Sequence, residues 1–400
     1  MTEQLKLKLN DSKATRWGAL VIVAFTMMAA YYVNDVVAPL KTMLETDLAW
    51  SSTDFGFFTG GYSFLNVFFL MLIWGGLILD RFGIRFTGKL ATILMVGGTA
   101  LEYYAMTGLA GADATLFGIN EIFGYKTGVF VAFAGYSIFG VGAEVAGITV
   151  SKIIAKWFKG KELATAMGVQ VALARIGSQA GYAVAIPLAR AFGISTPVLL
   201  GLVLLLGGMI AFFIFAVMDK KLDKQMEAAA IAAGTEDEEE KFSFKDVKNI
   251  LVNPGFWLIA LLCVLFYSCV FPFQKFASEL MIIKYGINEN VAGTFAGLPA
   301  LGALILTPVF GGFIDKRGKS ASIMLLGSAM LICVHFIYAI PDINYWLVAI
   351  VLMIILGIAF SLVPSAMWPA VAKIFPVSQL GTAYALISLS RISVFGVFLH

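Results

Sequence analysis

Apolar runs of 18 or more residues follow one another along nearly the whole chain, and this recurrence restricts the fold more than any other feature. As a helix, such a run rises about 1.5 Å per residue and crosses roughly 30 Å of hydrocarbon. Eleven runs are distinguishable, at about 17–40, 55–79, 86–110, 129–152, 163–188, 197–218, 255–280, 292–314, 321–340, 345–372 and 379–400. Charged residues make up only 13% of the chain, about half the share found in soluble domains. The sequence therefore predicts an all-α polytopic membrane protein. Residues 1–16 are polar and basic, the first run is long for a signal-peptide core, and no small-residue cleavage site follows it. It is read as a retained helix.

The same inventory excludes several functions. The three cysteines all fall inside apolar runs and there are two histidines, so no disulfide framework, metal site or His-based catalytic centre is indicated. No catalytic residue, metal or cofactor is expected. A nucleic-acid role has no basic soluble domain to rest on. The expected partners are the lipid bilayer and a small-molecule substrate, with the protein acting as a monomer without an obligate accessory subunit.

Charge placement predicts orientation. With the N-terminus inside, the short inner loops hold fifteen Lys and Arg residues: Lys6, Lys8, Lys13, Arg16, Arg81, Arg85, Lys89, Lys152, Lys156, Lys159, Lys161, Lys316, Arg317, Lys319 and Lys373. The outer loops hold four: Lys41, Lys126, Arg190 and Lys284. The positive-inside rule then puts the N-terminus in the cytoplasm.

One long polar stretch, residues 219–250, separates six runs from five. It contains an Ala-rich helical piece, an acidic block from Glu236 to Glu240 and an interfacial-helix pattern, FSFKDVKNIL. The expected organisation is an N-terminal bundle over 1–218, a cytoplasmic linker over 219–250 and a C-terminal bundle over 251–400, truncated in or after the eleventh run. Internal repeats support the division. GGLILDRFGIR (75–85) is echoed by GGFIDKRGK (311–319), and AKWFKGKELATA (155–166) by AKIFPVSQLGTA (372–383). Equivalent boundaries with equal orientation imply parallel duplication about an axis along the membrane normal.

The loop GGLILDRFGIR resembles the signature of the major facilitator superfamily, G-x-x-x-D-R-x-G-R. It matches at Gly76, Asp80, Arg81 and Gly83, with the last basic residue one place late at Arg85. The resemblance implies a transporter of two six-helix bundles working by alternating access, with the twelfth helix missing from this chain. It makes Asp80, Arg81 and Arg85, and their counterparts Asp315, Lys316 and Arg317, gating candidates.

Glu144 lies near the middle of the fourth run and Arg175 near the middle of the fifth, joined through the basic turn KIIAKWFKGKE. Lone charges at mid-membrane are expensive, so they pair or line a wet cavity. Two readings follow: a standing salt bridge between helices, or a site for opposite charges on a substrate. Buried pairs are weak stabilisers, which favours the second.

The stretch WFKGKELATAMGVQVALARIGS (157–178) resembles the branch of the superfamily that carries dipeptides across the lysosomal membrane in animals. Tyr31 and Asp35, Tyr62 with Ser63 and Asn66, VFPF (270–273), MWPAVA (367–372) and QLGTAY (379–384) extend the likeness through both halves. The resemblance implies that Glu144 and Arg175 hold the peptide termini, during facilitated diffusion of short peptides. A carboxylate and a guanidinium fork suit the two ends of a zwitterion. Tyr31, Tyr32, Tyr267, Phe271 and Trp368 are candidate walls, and Asp35, Tyr62 and Asn66 further candidate contacts. Alternatives are a proton-coupled symporter of peptides or other small organic anions, and a transporter-like sensor. Glu102 and His335 are open as proton-handling or packing groups; the roles of Lys275 and Arg391 are open too. The sequon Asn10-Asp11-Ser12 falls on the predicted inner side, which favours a prokaryotic plasma (inner) membrane over a lysosomal one.

Overall fold

The computed structural model describes residues 8–111, 114–158, 163–233, 250–317, 319–374 and 386–389. The chain is a two-bundle helical protein. The first bundle comprises α1 (Lys13–Val36), α2 (Lys41–Asp47), α3 (Ser52–Phe68), α4 (Met71–Thr107), α5 (Thr127–Trp157), α6 (Leu163–Phe192) and α7 (Thr196–Ala233). The second comprises α8 (Pro254–Ile283), α9 (Glu289–Ala296), α10 (Leu298–Arg317), α11 (Ser320–Ala339) and α12 (Trp346–Ile374). Ten of the eleven apolar runs are helical. The eleventh, with Arg391, lies outside the described residues except at 386–389, and so does most of the interfacial pattern at 241–249. Among the described residues, seven helices are long and apolar enough to cross a membrane, or eight if α3 and the start of α4 form one bent span. The first part of the polar stretch is helical, because α7 continues to Ala233.

Local chemistry sets the helix ends. Ser51 and Asp54 form a reciprocal capping box at the start of α3, and Ser12, Asn253 and Asn288 cap α1, α8 and α9 with side-chain oxygens. The second apolar run is not one straight span. Leu70 adopts φ 52° between α3 and α4, and the two axes diverge by 59°. The loop expected at 80–85 narrows to a single residue: α4 is interrupted only at Gly83, with φ 77° and ψ 173°. That region of backbone space admits essentially glycine alone, which gives the glycine of the signature its physical reason.

Close helix contacts decide what faces what. α6 lies on α1 through Gly177, where an added Cβ would stand 2.0 Å from the Met28 carbonyl oxygen, and Gly181, 2.9 Å from that of Tyr32. α5 lies on α3 through Gly140, 2.2 Å from the Tyr62 carbonyl oxygen. Such small-residue seams replace the hydrophobic drive that lipid cannot supply. Gly142 is equally tight, against the Ala91 carbonyl; Gly147 is not, its nearest neighbour being the Met27 methyl at 3.9 Å. α12 is helical through both Pro364 and Pro369.

The bundles are joined at the end reached by the C-terminus of α1, the distal end. Lys41 donates to Glu279 at 2.6 Å, Arg190 pairs with Glu289, Tyr182 donates to the Gln274 carbonyl, and Phe55 meets Phe276 edge-on. Among the described residues, no hydrogen bond or ion pair joins the bundles at the opposite, proximal end. There Arg85, Lys156, Asp219 and Asp223 form a cluster inside the first bundle.

Candidate functional site

The two mid-span charges sit at one level of α1. Gly147, one turn from Glu144, approaches Met27, while Gly177, two residues from Arg175, abuts Met28. Glu144 and Arg175 are both half-buried. No ion pair within 4 Å joins them, which removes the standing salt bridge in this conformation. Glu144 instead accepts a hydrogen bond from the Tyr62 hydroxyl at 2.8 Å. The Arg175 guanidinium lies 5.4 Å from the ring of Tyr31 and 5.1 Å from that of Phe360. Cation–π contact orients such a group without neutralising it, so its fork stays available to a carboxylate.

Phe360, on α12, was not indicated by the sequence. It connects Arg175 with an aromatic wall from the second bundle, its ring 6.4 Å from Tyr267 and 6.2 Å from Phe271. Tyr267 stacks on Phe271 at 5.0 Å and accepts a hydrogen bond from the Trp368 indole at 3.4 Å. Tyr31 thus meets Arg175 and Tyr62 meets Glu144, while Tyr267 and Phe271 connect to Arg175 through Phe360, and Trp368 connects to Tyr267. Tyr32 does not; it is buried and donates to the Pro197 carbonyl. Asn66 is fully buried, and its amide binds the Tyr62 carbonyl of its own helix.

Asp35 stands apart, at the distal junction. It accepts from the Asn34 amide at 2.8 Å and lies 3.9 Å from the Lys275 ammonium. At the proximal end Arg85 binds Asp223 at 2.7 Å, and Lys156 and the Trp157 indole both donate to Asp219, at 2.8 and 3.0 Å. Asp219 and Asp223, at the start of the polar stretch, belong to α7 rather than to a linker. Arg81 and Arg317 are exposed, over Phe82 and Phe313; the side chains of Asp80, Asp315 and Lys316 lie outside the described part.

Two helical bundles of membrane-length apolar helices, with an acid and a guanidinium near the middles of α5 and α6, form a multi-pass membrane transporter rather than an enzyme. The chain matches the Major Facilitator Superfamily over residues 20–398, and it belongs to that family. It is 29% identical over 385 residues to the lysosomal dipeptide transporter MFSD1 of Homo sapiens, an alignment covering 93% of this chain and 76% of that one. The Gallus gallus protein of the same name is 33% identical over 263 residues, covering 62% and 56%. Among solved structures, a D-xylose–proton symporter superposes with a TM-score of 0.67 at 17% identity, covering 96% of this chain and 88% of that one. A bacterial homologue of the human lysosomal transporter Spinster, inward-facing and unoccupied, gives 0.64 at 15%, covering 96% and 81%.

Proposed function

We propose that this protein carries short peptides, dipeptides above all, across a prokaryotic plasma membrane by alternating access, as facilitated diffusion with the N-terminus cytoplasmic. The observation that carries the reading is the separation of Glu144 from Arg175. Each is oriented by aromatic neighbours and half-open, and neither neutralises the other. A peptide ammonium suits the carboxylate of Glu144 and a peptide carboxylate the guanidinium fork of Arg175. The aromatic wall from α8 and α12 then receives side chains of varied shape. The names of the curated relatives support the substrate class, and the likeness to an inward-facing transporter fits bundles whose hydrogen bonds and ion pairs to each other, among the described residues, lie at the distal end. In this reading Arg85 and its carboxylate partners, with Asp80, Arg81, Asp315, Lys316 and Arg317, gate the cytoplasmic end.

The test is uptake of a labelled dipeptide into proteoliposomes, with and without a pH gradient. Uptake should run down the peptide gradient in both cases, and Glu144→Ala and Arg175→Ala should each lower it by at least about tenfold, the loss of one charge-assisted contact. Undiminished flux in both variants would refute the site; flux that requires the pH gradient would refute facilitated diffusion.

A further inference from the structure

We infer that the outer face of α7, together with Lys89 of α4, is a binding site for an anionic phospholipid of the leaflet at the proximal end. α7 turns most of its apolar surface away from the protein, with only 33% of its most apolar stretch buried. Ile210, Phe213, Ile214 and Val217 are exposed and line a shallow apolar groove. The same stripe continues past the apolar run as Lys220, Lys221 and Lys224, all exposed. At about 100° per residue, these apolar and basic side chains share a sector of about 120°. A helix face that passes from apolar to cationic at the end of its span matches a lipid molecule, with acyl chains along the groove and a phosphate at its rim.

Lys89 ties the site to a second helix. α4 packs on α7 at Gly88, which has no room for a side chain against the Phe212 ring. This seam brings the Lys89 ammonium to 5.2 Å from the centre of the Phe213 ring. Phe213 precedes Lys220 by seven residues, about 10 Å along α7, so Lys89 stands within the apolar segment. No hydrogen bond or ion pair holds Lys89, Lys220, Lys221 or Lys224 among the described residues. A half-buried ammonium at that depth is costly unless an anion meets it, and the lysine stem can carry the charge outward toward the interface. A phosphate at the level of Val217 is then reached by Lys89 from the membrane side and by Lys220 and Lys224 from the water side.

The acids of α7 do not compete for these lysines. Asp219 and Asp223 turn to Arg85 and Lys156 within the first bundle. Glu227, exposed beyond Lys224, is the one carboxylate of α7 near this face among the described residues. Four ammonium groups against one acid select an anionic headgroup, since a zwitterionic one would bring its own cation among the lysines. The apolar half of the site selects a lipid over a free anion, which cannot occupy hydrocarbon depth. Every group of the site belongs to the first bundle, so the lipid stays in place whichever end of the protein is open. The site is therefore independent of the peptide assignment. With the orientation proposed above, the lipid comes from the cytoplasmic leaflet, whose surface is negative.

The experiment is native mass spectrometry of the full-length, substrate-free protein in detergent, offered phosphatidylglycerol and phosphatidylcholine with identical acyl chains. The wild type should retain phosphatidylglycerol in preference to phosphatidylcholine. Lys89→Gln should weaken that retention about fivefold, and Lys220→Gln, Lys221→Gln and Lys224→Gln combined should weaken it further, at about fivefold for each lysine near the phosphate. The three α7 lysines are exposed, so their combined variant keeps the fold and tests the site even if Lys89→Gln does not. Lys319→Gln, an exposed proximal lysine of the second bundle, controls for net charge and should retain the lipid as the wild type does. A diazirine on the acyl chain of phosphatidylglycerol should label α7. Equal retention of the two lipids, wild-type retention by the combined variant, an equal loss in Lys319→Gln, labelling confined to other helices, or displacement by excess inorganic phosphate would each overturn the inference. Because no peptide is present, none of these outcomes bears on the transport reading.

Discussion

Lys41 is the polar contact through which the closed distal end is most open to quantitative test. Its side chain is 2% exposed and donates to Glu45 and Ser52 of its own bundle, each at 2.8 Å, and to Glu279 of the other bundle at 2.6 Å. Only the last contact is lost when the bundles part, so Glu279→Gln isolates the term that depends on conformation. A hydrogen bond between charged groups contributes about 1.5–3 kcal/mol net. Glu279 is 19% exposed, and both groups regain water on opening, which reduces the figure to about 1–2 kcal/mol. The open-to-closed ratio should therefore rise about 5- to 30-fold. Spin labels at Thr46→Cys and Asp342→Cys, exposed positions near the distal ends of the two bundles, read that ratio directly in protein whose native cysteines are replaced by alanine. Glu45→Gln is the control: it removes a carboxylate from Lys41 within one bundle and should not favour opening. If Glu279→Gln changed the ratio by less than about twofold, or if Glu45→Gln opened the distal end as far, the contact would not be a lock and the reasoning would fail.

Much of this architecture is legible in the sequence because lipid imposes it. A backbone deprived of water must satisfy its polar groups internally, so the first ten apolar runs are helical. Glu144 and Arg175 could be singled out for the related reason that charge at mid-depth needs an explanation. Gly83 was visible as a motif glycine, although the sequence did not reveal that the whole loop would shrink to that residue. Other features depend on contacts between residues far apart in the chain. Lys41 reads as an ordinary outer-loop lysine, yet α2 folds it inward until a carboxylate of the second bundle covers it. Phe360 is one of 34 phenylalanines, and its place beside Arg175 follows only from how α12 meets α6. Asp219 and Asp223 look like the start of a solvated linker; the continuation of α7 carries them to Arg85 and Lys156. Leu70 has no glycine or proline beside it to announce the bend between α3 and α4.

Two further substitutions test how the site is assembled. Phe360→Ala removes one of the two rings flanking Arg175, a contact of about 0.5–2 kcal/mol; peptide uptake at subsaturating concentration should fall about 2- to 30-fold, while the thermal midpoint in detergent moves little. Unchanged uptake would separate the second bundle from the orientation of Arg175. Gly177→Val tests the seam that carries Arg175 to Tyr31. Its Cβ would stand 2.0 Å from the Met28 carbonyl, a contact with backbone that no rotamer relieves, so α6 must move away from α1. Overpacking of this kind costs about 1–3 kcal/mol or more and should lower the thermal midpoint as well as uptake. Gly18→Val serves as the control, since nothing lies within 4 Å of its added Cβ. Equal behaviour of the two valine variants would mean that the α1–α6 seam does not set the position of Arg175.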